Sequence, residues 1–161
     1  MHLNIGIIGL GTVGSGVIES IEKEKNNFKK KYDLEINIVG ISAKNKNKKR
    51  SFDIKKYNWF KNPLDIINIS DIHVVVELIG GSSGLALEIA KKTLNTKKHL
   101  VTANKALIAI HGKMLNNLAL KNNVNINFEA AVAGGVPVIS TIENRMLADN
   151  VTNIYGILNG T

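Results

Sequence analysis

The chain has 161 residues, a formal net charge of +8, 44% hydrophobic and 21% charged residues, and no cysteine. That length supports one domain with a sizeable core, or one domain plus part of a second. The missing cysteines exclude disulfides and thiolate zinc sites, and no apolar run reaches membrane-spanning length, so no membrane partner is expected.

The excess positive charge would suit a nucleic-acid surface. However, the lysines are spread from Lys23 to Lys121, aromatic content is 5%, and no basic stripe is interleaved with aromatics. The lysine bias therefore reads as solvated faces, with no nucleic-acid partner. No secretory signal precedes the first apolar run, and a cytoplasmic setting is the simplest reading.

In chain order, Leu3–Ile8 reads as a buried strand ending at Gly9, and Val13 to about Asn27 as a helix with a charged second half. Glu35–Ser42 is a second strand. Residues 45–63 form a polar, basic connection with Trp59 and Phe60 as packing anchors. His73–Leu78 is a third strand rich in β-branched residues. Leu85–Asn95 has helical apolar spacing, His99–Val101 is a fourth strand, Gly112–Asn123 a helix and Val124–Glu129 a fifth strand. Near-continuous apolar strands alternating with helices predict a doubly wound parallel α/β sheet of the Rossmann type. Beyond Gly134-Gly135 the pattern breaks. Pro137 suits the first turn of a helix to about Leu147, and Val151–Leu158 looks like a strand. The expected division is a dinucleotide-binding domain over 1–135 and the incomplete start of an α+β substrate domain over 136–161. Ile154, Ile157 and Leu158 are then expected to lack their partners and to promote self-association.

Gly9-Leu10-Gly11-Thr12-Val13-Gly14 is a G-x-G-x-x-G run between a strand and a helix. The first glycine permits the tight turn, the second lets the backbone approach a pyrophosphate, and the third lets helix and strand pack closely. N–H groups near Thr12 and Val13 would face the phosphates. A purely structural strand–helix turn is the alternative. After the second strand an acidic residue would hold a ribose hydroxyl and favour NAD. Here the loop carries Ser42, Lys44, Lys46, Lys48, Lys49 and Arg50, with no carboxylate before Asp53. Ser42, Lys44 and Arg50 are candidates for a 2′-phosphate, favouring NADP with NAD possible. A solvated basic loop tolerating either cofactor is the alternative.

Ligands in open α/β sheets sit beyond the carboxyl ends of strands. Gly80 and Gly81 would let a flat ring lie on the backbone. Ser82 and Ser83 could meet the cofactor or cap the next helix. Thr102, Asn104 and Lys105 end the fourth strand toward the same crevice, which makes Lys105 a candidate electrophile or substrate anchor. Glu129 precedes a glycine turn. It could ligate a hard cation or cap nearby backbone N–H groups, and the residues alone favour capping.

Five blocks then resemble homoserine dehydrogenase in order: GLGTVGSGV (9–17), ISAKNKNKKR (41–50), VVVELIGG (74–81), VTANKALIAIHG (101–112) and FEAAVAGGVPVI (128–139), with GILNGT (156–161) as a sixth. The resemblance spans essentially the whole chain. It implies NAD(P)-dependent interconversion of L-homoserine and L-aspartate 4-semialdehyde, on the route to threonine, isoleucine and methionine. It places Thr12 and Val13 at the pyrophosphate and Lys105 beside nicotinamide and substrate; Thr102 is expected to meet the cofactor from its place at the strand end. It also implies a monovalent cation, usually sodium, held by the Glu129 side chain and the carbonyls of Val132, Gly134 and Val136. A homodimer or homotetramer is implied for the whole enzyme. The family's acidic substrate-binding residues and its proton-donating lysine lie beyond the position of Thr161, so this chain alone is expected to be inactive. A non-catalytic dinucleotide-binding module is the competing expectation.

Overall fold

The computed structural model describes residues 1–146 and 150–156, with the side chain of residue 145 left aside. Its elements are β1 (His2–Ile8), α1 (Thr12–Tyr32), β2 (Glu35–Ser42), a 3₁₀ turn (Ile54–Lys56), β3 (Asn58–Trp59), α2 (Pro63–Ile67), β4 (Val74–Glu77), α3 (Leu85–Asn95), β5 (His99–Thr102), α4 (Lys105–Asn122), β6 (Ile126–Asn127), two 3₁₀ turns (Glu129–Ala131 and Ala133–Gly135) and α5 (Val138–Arg145). All six strands run parallel in the order β3-β2-β1-β4-β5-β6. The order reverses between β1 and β4, which opens a crevice at the carboxyl ends of those two strands.

Apolar runs explain why the centre of the sheet is dry. Ile5 and Ile7 of β1 pack with Leu10, Ile18, Ile41 and Val76 on one face. Ile8, Val75 and the α2 residues Ile66 and Ile67 pack with Ile72 and Ile89 on the other. A third cluster joins α3 and α4 over β5 through Leu94, Leu100, Leu107 and Leu115. A sheet covered on both faces requires apolar residues at successive strand positions rather than at alternate ones. The doubly wound parallel sheet is as expected.

Several boundaries differ from the sequence reading. Two short elements, β3 and α2, lie inside the stretch read as a connection. The α2 turn is capped by Asn62, whose side chain accepts from Leu64 N–H at 3.1 Å, with Pro63 in the first turn. The α4 helix starts at Lys105 rather than Gly112, because Asn104 caps it by accepting from Leu107 N–H. The β6 strand is only two residues long rather than Val124–Glu129: the N–H of Asn125 goes to His99 Nδ1, and Glu129 opens a 3₁₀ turn. The predicted helix at Pro137 forms as α5, and its expected end at Leu147 lies outside the described residues. Over 151–156 no strand forms, so that stretch of the expected Val151–Leu158 strand is absent; Ile157 and Leu158 lie outside the described residues. Val151, Ile154 and Tyr155 are exposed. Among the described residues no helix is long and apolar enough to cross a membrane.

Candidate functional site

The β1–α1 turn begins with Gly9 at φ 106°. A Cβ there would lie 2.5 Å from the Leu78 backbone, so both the left-handed conformation and the close approach of β4 require glycine. A Cβ on Gly14 would lie 1.9 Å from the Gly9 carbonyl oxygen, which fixes how closely α1 sits on its own turn. Gly11 is different. No protein atom lies within 4 Å of its would-be Cβ, so its small size leaves open space above the loop. Gly11 is also the N-cap of α1, where no side chain caps and no acidic residue stands in the first turn. The first N–H groups of a 21-residue helix therefore face that space, a setting suited to an anion. Thr12 and Val13 are exposed beside it. The Leu10 side chain, in contrast, is buried in the core and its carbonyl accepts from Arg50 Nε. A cofactor contact by Leu10 would have to come from its backbone.

Two clefts flank the glycine loop. The larger, about 770 Å³, is lined by Ser42, Ala43, Lys44, Lys46, Trp59 and Lys61, and by Ile8, Pro63, Ile79 and Leu85. Lys44, Lys46 and Lys61 are exposed at its mouth, and none forms an ion pair among the described residues. Trp59 offers its ring face to the basic loop: Lys46 Nζ and the Arg50 guanidinium each lie over the ring, 5.8 Å from its centre. Arg50 differs from the sequence expectation. Its guanidinium donates to the carbonyls of Asn45, Lys46, Lys48 and Leu10 at 2.7–3.4 Å. It serves as the clasp of the loop, with most of its donors occupied. Ser42 is buried, and its carbonyl accepts from Gly9 N–H. Lys61 was missed in the sequence because β3, at whose carboxyl end it follows, was missed.

The smaller cleft, about 350 Å³, is lined by Val13, Leu78, Ile79, Gly80, Gly81, Ala103, Asn104, Lys105 and Ala106. Ile79 borders both clefts. No side chain caps α3, whose N-cap is Gly84 at φ 59°, so the capping role considered for Ser82 and Ser83 is not taken. Lys105 is exposed and is the first residue of α4, so the alternative of a lysine in a surface turn gives way to a lysine at a crevice edge.

Thr102 does not open into this cleft through its side chain. It is fully buried, and its hydroxyl donates to Glu77 Oε2 at 2.5 Å while accepting from Asn104 N–H at 3.0 Å. The β-strand pairing sets Glu77 opposite Thr102, which is why a residue expected to touch the cofactor instead bonds across the sheet. Glu77 is fully buried as well. Burial pushes its carboxyl above the usual carboxylate range, against the opposing pull of Thr102, of Ile79 N–H and of Asn104.

Beyond the carboxyl end of the edge strand β6, Glu129 caps α5. Its two carboxylate oxygens accept from Ile139 N–H at 3.0 Å and Ser140 N–H at 2.8 Å. The Ser140 N–H is the main reason the carboxyl lies below its usual range. The Val136 carbonyl accepts from Val138 N–H at 2.8 Å. Between them, Ala133, Gly134 and Gly135 all have positive φ, which turns the chain sharply. Of the expected cation ligands, Glu129 and Val136 thus already serve the start of α5, while Val132 and Gly134 lie on the intervening turn. No group of three or more His, Asp or Glu that could hold a metal ion occurs among the described residues. In chemistry, one carboxylate with backbone carbonyls is an all-oxygen donor set of the kind a hard cation takes.

Comparison with known proteins agrees with this fold. The family profile described as "Homoserine dehydrogenase, NAD binding domain" matches residues 9–129. Homoserine dehydrogenase of Bacillus subtilis is 38% identical over 159 residues, covering 99% of this chain and 36% of that protein. The crystal structure of a homoserine dehydrogenase from Thiobacillus denitrificans superimposes with a TM-score of 0.81 at 32% identity, over 92% of this chain and 34% of that one. A hyperthermophilic archaeal homoserine dehydrogenase in complex with NADPH superimposes with a TM-score of 0.70 at 27% identity, over 88% and 48%. The chain spans little more than a third of the length of the curated relatives it matches.

Proposed function

The chain belongs to the homoserine dehydrogenase family and contains its NAD-binding domain, and from that premise we propose that it supplies the cofactor half of an enzyme that interconverts L-homoserine and L-aspartate 4-semialdehyde. One observation carries the reading. A basic cleft and a lysine-edged cleft share Ile79 in their linings, and the second is bounded by Val13 at the uncapped N-terminus of α1. That is the arrangement an extended dinucleotide needs: adenosine in one cleft, pyrophosphate over Gly11, Thr12 and Val13, and nicotinamide against Gly80 and Gly81.

Within this reading, Lys44 and Lys61 neutralise a 2′-phosphate, with the hydroxyl of Ser42 beside them. A charge-assisted hydrogen bond of about 1.5–3 kcal/mol favours NADPH over NADH by roughly ten- to a hundredfold. The cofactor supplies or accepts the hydride at its nicotinamide. Lys105 places a cation beside the substrate oxygen, where negative charge grows as the aldehyde becomes an alkoxide and a proton then completes the alcohol. Residues 136–161 are the start of the substrate-binding domain. Glu129, with the carbonyls of Val132, Gly134 and Val136, would hold sodium at the junction between the two parts. Assembly of the whole protein as a homodimer or homotetramer, its place in threonine, isoleucine and methionine synthesis, and a cytoplasmic setting go with the same reading.

Hydride transfer requires cofactor and substrate in near-attack geometry. The 161-residue chain is therefore expected to bind NADPH and show negligible turnover, with activity appearing in a longer chain that carries the rest of the substrate domain. Robust homoserine-dependent reduction of NADP⁺ by the 161-residue chain would contradict this division of labour.

A further inference from the structure

The buried carboxylate of Glu77 is not used in the account above, yet it connects the β4 side of the lysine-edged cleft to the β5–α4 side. Its Oε1 accepts from Ile79 N–H at 2.8 Å, and its Oε2 accepts from the Thr102 hydroxyl at 2.5 Å. Thr102 Oγ1 accepts from Asn104 N–H at 3.0 Å. The Asn104 side chain then divides its two ends. Its Oδ1 accepts from Leu107 N–H at 3.1 Å and closes the first turn of α4, whose first residue is Lys105. Its Nδ2 donates to the Gly81 carbonyl at 2.7 Å, across from β5 to the loop after β4.

A backbone N–H can only donate, so Thr102 Oγ1 accepts from Asn104, and toward an ionised Glu77 the hydroxyl sends its own hydrogen. Ile79 N–H likewise leaves Glu77 Oε1 no role but acceptor. An apolar pair at this strand end would avoid the desolvation of a carboxylate and would hold two parallel strands equally well. What the polar relay adds is placement: Ile79, Gly81 and the Lys105 helix start are fixed relative to one another by one buried group.

We propose that Glu77, acting through Thr102 and Asn104, is the positioning residue for the nicotinamide end of the cofactor. The proposal rests on the cofactor reading above. The relay holds the backbone of 79–81 and the start of α4 at the spacing a nicotinamide ring needs; Glu77, Thr102 and Asn104 do not line the basic cleft, which the relay meets only through the Ile79 backbone.

The test compares two ligands on the 161-residue chain: NADPH, which reaches both clefts, and 2′,5′-ADP, which lacks the nicotinamide half. Wild type should bind both. Glu77→Gln keeps the shape but places a donor where Thr102 needs an acceptor, and Thr102→Val keeps the shape but removes the hydroxyl. Each should weaken NADPH about tenfold and leave 2′,5′-ADP unchanged, whereas Thr102→Ser should restore wild-type NADPH affinity. Equal weakening of both ligands, no change in either, or Thr102→Ser behaving as Thr102→Val would overturn the proposal. Wild type failing to bind either ligand would instead refute the cofactor reading, and the positioning role with it.

Discussion

A side-chain carbon on Gly14 would lie 1.9 Å from the carbonyl oxygen of Gly9, whereas one on Gly11, between them, would meet nothing within 4 Å. Two glycines of one motif are thus required by the protein itself, whereas no contact among the described residues requires the third. Gly14→Ala should lower stability by about 1–3 kcal/mol or more, since the clash is with backbone. Gly11→Ala should change stability by no more than about 1 kcal/mol while weakening NADPH binding. Thermal melts and a cofactor titration on both variants decide this. A Gly11→Ala chain with full cofactor affinity would contradict the pyrophosphate placement.

Lys44 and Lys61 line the basic cleft from different elements. Replacing either with alanine should weaken NADPH roughly tenfold or more and leave NADH nearly unchanged. Arg50→Ala should act differently. It releases three carbonyls of its own loop and that of Leu10 in the glycine turn, so it should loosen the loop and weaken both cofactors. Titrations of the three variants with the two cofactors separate charge recognition from loop support.

Much of this was legible in the sequence where apolar runs are continuous. The strands β1, β2, β4 and β5 and the helix α3 follow directly from residues such as Ile5, Ile7, Val75, Leu100 and Ile89, which a two-sided core requires. The glycine turn was legible because its spacing has a steric cause. Short elements were not. Asn58–Trp59 is too brief to show a period, and losing β3 also hid Lys61, although Asn62-Pro63 before Leu64 was a readable helix start. The beginning of α4 was obscured by Gly112, while the cap that sets it, Asn104, stood eight residues before Gly112. Thr102 was assigned to the cofactor because position alone cannot say which way a side chain points. The partner that turned it inward, Glu77, lies 25 residues away in the chain and meets it only through strand register.

Lys105 stands at the helix start that Asn104 caps. In a longer chain that carries out turnover, Lys105→Ala should lower kcat by about 10²–10³, the range for removing one charge-stabilising group, with NADPH affinity much less affected. Steady-state kinetics together with a cofactor titration test this. A fall in cofactor affinity with kcat intact would make Lys105 a cofactor anchor alone.

Glu129 is held below its usual range chiefly by Ser140 N–H. A carboxyl lowered in the folded state stabilises that state above its unfolded pKa, near 4.5. The contribution is lost as pH falls through the lower folded value. The cap on α5 should therefore persist at mildly acidic pH and release below it. The amide signals of Ile139 and Ser140 should shift together with a midpoint below 4.5 in an NMR titration, and Glu129→Gln should abolish that step. A midpoint at or above the ordinary glutamate value would contradict the cap.

The central claim is that these 161 residues fold into the cofactor half of the enzyme by themselves. The direct measurement is calorimetric titration of the chain with NADPH and with NADH. The account predicts one NADPH site, with NADH binding roughly ten- to a hundredfold more weakly. Tighter binding of NADH, or no binding of either nucleotide by the folded chain, would contradict it.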